Sequence, residues 1–401
     1  MPTQQTARAP GSMNRGFYTI LTAQFLSALA DNALLFAAIA LLAQLHAPDW
    51  HTPLLQEFFV ISYILLAPFV GPFADAFPKG RVMFFSNSIK CLGGLAMLFG
   101  MQPLYAYGIV GIGAAAYSPA KYGILTEYLP PQLLVKANGW MEGSTVLAII
   151  LGAIVGGLLA ARNPIFATEI ITGLYLAAAL FNLYIPRVPR DHRIPKKNPL
   201  YILHDFWHSF TTLWRDPLGQ LSLAVTTLFW GAGATLRLVV LAWAAIALGF
   251  GLDHATQLTA AVAVGIAVGS VFAARYVSLE NSIKVLPAGI AMGLLVMVMV
   301  LISDWRLAAL VLFFIGVLGG LFVVPLNALL QHRGHILIGA GHSIAVQNFN
   351  ENIGILVLLG AYTLLVKYAF SINLIVILFG AFVSLVMAVI ARAYRNQTHH
   401  V

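Results

Sequence analysis

The sequence predicts an all-α membrane protein, with 12 transmembrane helices in two six-helix bundles. Three observations predict it. Of 401 residues, 60% are hydrophobic and 9% charged, too few charges to cover a water-soluble protein of this length. A bilayer core demands runs of about 20 mainly apolar residues, and roughly twelve such runs are present. A polar, proline-rich segment divides them six and six.

The runs fall near 17–45, 55–77, 81–101, 104–126, 139–161 and 165–185, then near 218–248, 257–275, 281–302, 307–330, 341–366 and 370–392. The first is longer than a signal-peptide core and lacks a small-residue cleavage pattern, so it reads as a retained helix. The divider, Pro186 to Pro217, carries the basic cluster Arg187, Arg190, Arg193, Lys196 and Lys197 and reads as a linker between bundles. The expected organisation is a tail over 1–16, a bundle over 17–185, the linker over 186–217, a bundle over 218–392 and a tail over 393–401.

The net charge of +8 belongs to short loops, with no soluble aromatic-bearing module to bind nucleic acid, which is excluded as a partner. Arg15, Lys79, Arg81, Lys136, Arg275, Arg333, Arg392 and the linker cluster share one side, against Arg162, Arg306 and Lys367 on the other. The positive-inside rule then makes both termini cytoplasmic. The single cysteine, Cys91, lies in an apolar run, so there is no disulfide framework.

Parallel repeats should map one half onto the other at a near-constant offset. Asn87-Ser88-Ile89-Lys90 recurs 194 residues later as Asn281-Ser282-Ile283-Lys284, with Arg81 and Arg275 each six residues earlier. Four residues alone can match by chance. An offset of 206 sets Tyr117-Ser118-Pro119 against Val323-Val324-Pro325, and it sets Asp31 against Arg237, each near the centre of the first helix of its half. Six helices per half imply an axis along the membrane normal.

A charge at the bilayer midplane costs about 3 kcal/mol on insertion scales, so it usually faces a cavity and has a partner. Asp31 and Arg237 are read as opposite poles of a binding site, one attracting an ammonium and the other a phosphate; the alternative is a structural ion pair joining the halves. Lys121, after Pro119, is either a second anion contact or a lysine snorkelling to the headgroups. Gln347, Asn348, Asn350, Glu351 and Asn352 gather so much amide at the start of the eleventh helix that they either bind a polar head or glue helices together. Glu142, taken to lie a turn into the fifth helix, shares that ambiguity.

Between the second and third helices, Asp75 closes Gly71-Pro72-Phe73-Ala74-Asp75 and Lys79-Gly80-Arg81 follows. Asp75 is expected to pair with Arg81 or with a helix N-terminus as a gate, the alternative being a plain solvated turn. Glu127 is expected at the same gate or at a solvated helix end. Gly152-x-x-x-Gly156-Gly157 is assigned to packing. His332, His335 and His342 fall in or near an expected loop and are read as surface residues, and no metal-ligand spacing occurs. No lysine follows a glycine and no histidine has an aspartate five positions on, which removes the Gly-Lys-Ser/Thr phosphate loop and the acyltransferase His-Asp pair. Neither an enzyme nor a cofactor is expected.

Three segments carry a family resemblance: Ala23-Gln24-Phe25-Leu26-Ser27-Ala28-Leu29-Ala30-Asp31-Asn32-Ala33-Leu34-Leu35, Ser118-Pro119-Ala120-Lys121-Tyr122-Gly123-Ile124-Leu125, and Gln347-Asn348-Phe349-Asn350-Glu351-Asn352-Ile353-Gly354. Each resembles the corresponding helix of the bacterial lysophospholipid transporters of the major facilitator superfamily, and the likeness runs over nearly the whole chain. The 71–81 turn looks like the superfamily's loop signature, one residue longer between Asp75 and its glycine.

The resemblance implies an inner-membrane protein that moves lysophospholipids, especially lysophosphatidylethanolamine, from the outer to the inner leaflet; a monomer is expected. It implies a separate acyl-carrier-protein-dependent acyltransferase as partner. A proton-coupled exporter of drugs or other amphiphiles, using Asp31 or Glu142, is the alternative; against it, the fifth helix lacks a Gly-Pro pair near Gly156. A membrane-embedded acyltransferase explains the two-half repeat poorly.

Overall fold

The computed structural model describes residues 13–47, 51–188, 198–250 and 252–398; Arg190, Arg193, Lys196 and Lys197 of the basic cluster lie outside them. Thirteen α-helices account for nearly all of it: α1 (Arg15–Gln44), α2 (His51–Ala76), α3 (Lys79–Leu98), α4 (Pro103–Tyr128), α5 (Pro131–Arg162), α6 (Pro164–Asn182), α7 (Pro199–Arg215), α8 (Pro217–Ala247), α9 (Leu252–Tyr276), α10 (Leu286–Val298), α11 (Trp305–Ile338), α12 (Ala340–Lys367) and α13 (Ile372–Thr398). A 3₁₀ segment, Leu279–Val285, leads into α10.

The ends follow local chemistry. Prolines open α4, α5, α6, α7 and α8, where the missing amide hydrogen costs nothing. Asn14, Asn163, Asn198, Asp216 and Asp304 accept first-turn amides as N-caps.

Among the described residues, ten helical segments are long and apolar enough to cross a membrane. The other two of the expected twelve are α3 and α4. Both are long enough, but α3 carries Lys79, Arg81, Asn87 and Lys90, and α4 is rich in glycine, alanine and tyrosine and is buried over most of its length. Lys79, Asn87 and Lys90 are buried against protein, so α3 and α4 need no apolar surface all round.

Four expectations are corrected. No loop separates α11 from α12: α11 runs on to Ile338, and Gly339, at φ 96°, makes the break alone. α5 begins at Pro131, which places Glu142 about three turns in. The Asn281–Lys284 copy lies in the 3₁₀ entry to α10, whereas Asn87–Lys90 lies at the middle of α3; that match is no structural equivalence, unlike Pro119 and Pro325, which both sit inside long helices. The linker contains α7, whose Phe206, Ser209 and Leu213 are buried while Leu203 and Trp207 are exposed. That spacing of three and four marks an amphipathic helix.

α1–α6 pack on one another, as do α8–α13. Close backbone approach needs glycine at α1–α5, where a Cβ on Gly156 would stand 2.6 Å from Ala33 Cα. The halves meet near the end where α1 begins, here the proximal end. There α2 meets α12 at Gly71 and Gly341, α5 meets α9 at Gly139 and Ala274, and Asn138 of α5 exchanges 2.9 Å hydrogen bonds with Gln331 of α11. Towards the distal end, α2 and α12 present exposed Ile61, Leu65, Leu356 and Val357. The helix α7 lies over the proximal α2–α12 seam, with Phe206 packed among Ala67, Leu330 and Val346.

Candidate functional site

Asp31 sits just past the middle of α1. Its partner is Lys90 of α3, with Nζ 2.7 Å from Oδ2, and Tyr175 of α6 donates its hydroxyl to Oδ1 at 2.8 Å. Lys90 also donates to Ser27 at 2.9 Å, Ser27 donates to Asn87 at 2.7 Å, and the ammonium stands 4.8 Å from the Tyr117 ring centre. The ion pair is lopsided: the Lys90 side chain is 1% exposed and that of Asp31 21%. Lys90 is thus a buried counter-charge, and the carboxylate keeps one open edge.

Arg237, on α8, is exposed and joins no ion pair among the described residues. The alternative of an Asp31–Arg237 pair joining the halves is therefore corrected: Asp31 is neutralised inside its own half. An unpaired guanidinium in a membrane helix costs least where water reaches it.

Next to the Asp31 cluster, Lys121 of α4 stands 4.5 Å from the Tyr122 ring centre, with Nζ 3.5 Å from Thr145 Oγ1 of α5. It points into the bundle and does not snorkel. Tyr122 donates to buried Glu142 at 3.1 Å, and Gln24 of α1 donates to Ser144 and Thr145.

The α12 amides divide by partner. Gln347 donates to Glu351 at 2.7 Å and to Asn327 of α11 at 2.9 Å, all three being buried. Asn348 reaches across to Ser118 of α4 at 2.8 Å, so this amide joins the halves. Asn350 accepts from Trp214 of α7, and Asn352 donates to the Asn348 carbonyl.

At the proximal end, Asp75 caps α12. Its carboxylate accepts from the Gly341 and His342 amides at 2.7 and 3.0 Å and from Lys79 at 2.8 Å. Lys79 also pairs with Glu127 at 3.0 Å, whose side chain is 6% exposed, so Glu127 is not a solvated helix end. Arg81 is exposed and is not among these partners. His342 corrects the surface reading: it is buried, with Nδ1 on Asp75 and Nε2 3.0 Å from Asp205 of α7. Only an imidazolium donates to carboxylates at both nitrogens. The His342 hydrogen bond holds the Asp205 carboxyl below its ordinary value.

Lys90, Tyr175 and Asp205 are absent from the candidate site residues read from the sequence, and His342 is read there as a surface residue. The signal for Lys90 was present, since a lysine at the centre of an apolar run calls for a carboxylate in a neighbouring helix. Nothing in sequence spacing joins His342 to residues 137 and 267 positions away.

A family model for the Major Facilitator Superfamily matches residues 20–358. The chain is 50% identical over 357 residues to the lysophospholipid transporter LplT of Serratia proteamaculans, covering 88% of this chain and 89% of the relative. It is 48% identical over 367 residues to that of Yersinia enterocolitica, covering 91% of each. Among solved structures it is similar to the human organic anion transporter MFSD10, with TM-score 0.76 and 15% identity over 94% of this chain and 100% of that one. It is also similar to a bacterial homologue of the iron transporter ferroportin in an outward-facing state, with TM-score 0.74 and 16% identity over 96% and 100%. These two likenesses concern the fold. A helical bundle in two halves with ten membrane-spanning segments among the described residues, the superfamily match and half-identity over nine-tenths of the length lead to one assignment: the chain belongs to the major facilitator superfamily and, within it, to the lysophospholipid transporter family.

Proposed function

We propose that this multi-pass membrane protein carries lysophospholipids, lysophosphatidylethanolamine foremost, from the outer to the inner leaflet of a bacterial inner membrane by alternating access. Both termini are cytoplasmic in this reading, so the proximal end is the cytoplasmic gate, shut by Asp75, and the distal end is open. The observation that carries the reading is the charge layout. The open edge of Asp31 accepts an ammonium, while exposed Arg237, assisted by Lys121, accepts a phosphate. Gln347, Glu351 and Asn348 supply polar contacts to the rest of the head, with Glu142 completing the layer behind Tyr122. The acyl tail stays in lipid between helices while the head crosses. A separate acyltransferase then consumes the delivered lysolipid. Asp75, Arg81 and Glu127 form the gate region in this proposal.

The test is leaflet-resolved uptake of labelled lysophosphatidylethanolamine by proteoliposomes, with Asp31→Asn and Arg237→Ala beside the native chain. Both substitutions should cut the initial rate at least tenfold, and equal rates in all three would remove the charge assignment. A second reading, proton-coupled export, is favoured by one observation: Glu142 and Glu351 are buried with no ion pair among the described residues. Proton counterflow indifferent to lysolipid would select it.

A further inference from the structure

The two seams between the halves are finished differently. The α2–α12 seam lies under α7. The α5–α9 seam borders a groove of about 860 Å³ between α1, α5 and α9. Its walls include Leu21, Phe25, Trp140, Leu147 and Val271, of which Trp140, Leu147 and Val271 are 48%, 50% and 60% exposed. An exposed apolar wall on a membrane helix faces acyl chains.

The same groove is lined by Lys136 of α5 and Arg275 of α9, both exposed and neither in an ion pair among the described residues. They lie at its proximal end. Lys136 to Leu147 is eleven residues of helix, about 16 Å at 1.5 Å per residue, close to half of a hydrocarbon core about 30 Å thick. The groove is one leaflet deep, with its cations at headgroup height.

We propose that this groove is a binding site for a resident anionic phospholipid of the proximal leaflet. Its phosphate bridges Lys136 and Arg275, and one acyl chain lies along Phe25, Trp140 and Leu147. Charge complementarity selects the occupant, since two unpaired cations above an apolar slot fit a phosphate on a chain. The groove is also walled off from the path. Gly139 is pressed against the Ser270 carbonyl and Ala274, where a Cβ would stand 2.8 and 2.4 Å from them, so with the proximal end shut the occupant enters from the surrounding leaflet, not as cargo. Because the cations belong to different halves, the phosphate staples the seam in the closed state.

Native mass spectrometry of the full chain, loaded with phosphatidylglycerol against phosphatidylcholine, tests this. Each cation near the surface is worth about fivefold in anionic lipid affinity, roughly thirtyfold for the pair. The native chain should retain one phosphatidylglycerol with that preference. Lys136→Gln/Arg275→Gln should lose it, Lys136→Arg should keep it, and Lys284→Gln, an exposed cation outside the groove, should be neutral. Chain-brominated phosphatidylglycerol should quench the emission assigned to Trp140 by difference from Trp140→Phe, and Val271→Phe, which fills the slot without adding an indole, should abolish that quenching. Equal retention of the two lipids by the native chain, unchanged retention in the double variant, or tighter binding of lysolipid than of the two-chain lipid would overturn the proposal. Retention is read without transport, so this result is independent of the cargo reading.

Discussion

Replacing Lys90 with methionine isolates the most consequential contact in the polar layer. The substitution keeps the length of the buried stem and deletes the ammonium that neutralises Asp31 at 2.7 Å. Removing one member of a buried ion pair costs about 3–5 kcal/mol, because the survivor stays charged and poorly solvated. Asp31 keeps 21% exposure and the Tyr175 hydroxyl at 2.8 Å, so the lower end, about 3 kcal/mol, applies. Asp31→Asn leaves the opposite orphan, an ammonium 1% exposed, at similar cost. The double variant has no orphan charge, so its loss should fall well short of the sum, with a coupling of about 2–3 kcal/mol. Reversible unfolding in mixed micelles measures all three. A coupling within about 0.5 kcal/mol of zero would show that the pair is not the unit inferred here.

The remaining predictions concern the gate, the packing and the pH response. Asp75→Asn weakens the cap on α12 and the Lys79 pair, a loss of about 1–2 kcal/mol to the closed end. Alkylation of a cysteine placed at buried Ser343, in a Cys91→Ala background, should accelerate about fivefold to thirtyfold, and an unchanged rate would disconnect Asp75 from gating. Gly156→Val should destabilise by about 1–3 kcal/mol through its contact with Ala33, whereas Gly157→Val, whose Cβ meets nothing within 4 Å, should be nearly silent; melting in detergent separates them. At the α7–α8 junction, burial pushes the Asp216 carboxyl up, but the Arg333 guanidinium and the Gly219 amide outweigh it and hold the group below its ordinary value. A carboxyl lowered by folding contributes stability above its unfolded pKa and loses it as the pH falls through the folded one. Arg333→Gln should therefore be less stable at pH 7 and converge on the native chain as the pH drops below about 4; a gap that widens in acid would refute this.

Fold class was legible because length and apolarity are one-dimensional properties, readable wherever a helix meets lipid. Where a helix meets protein they weaken, and α3 and α4 are the helices whose composition is least lipid-like. α7 escaped for a related reason: Phe206, Phe210, Leu213 and Trp214 make a stripe without making an apolar run. At the site, the sequence marks which residues are expensive in a membrane, and Asp31, Arg237, Lys121, Glu142 and Glu351 were all visible on that ground. It does not mark partners. Asp31 is 59 positions from Lys90 and 144 from Tyr175, and no period relates such separations. The repeat argument paired Asp31 with Arg237 by symmetry, yet symmetry relates positions and not contacts.

That distinction bears on how the halves divide the work. The first half encloses its charges in short-range pairs: Asp31 with Lys90, Lys79 with Asp75 and Glu127. The second half offers the unpaired Arg237, the Gln347–Glu351 amide system and the amide end of α12 that receives Asp75. An element already paired within its own half loses little when the halves separate. Among the described residues, the polar contacts that must break on opening are the Asp75 cap and its His342 ion pair, Asn138–Gln331 and Asn348–Ser118, together with the glycine contacts of α5–α9. A gate built mainly from neutral or capped hydrogen bonds, each worth about 1 kcal/mol net, with one imidazolium–carboxylate pair beside them, keeps its two states within reach of a ligand's differential affinity. Many buried ion pairs spanning the halves would fix the closed state; Asp31–Lys90 and Lys79–Asp75–Glu127 lie within one half, and Asp75–His342 is the buried pair left to the boundary.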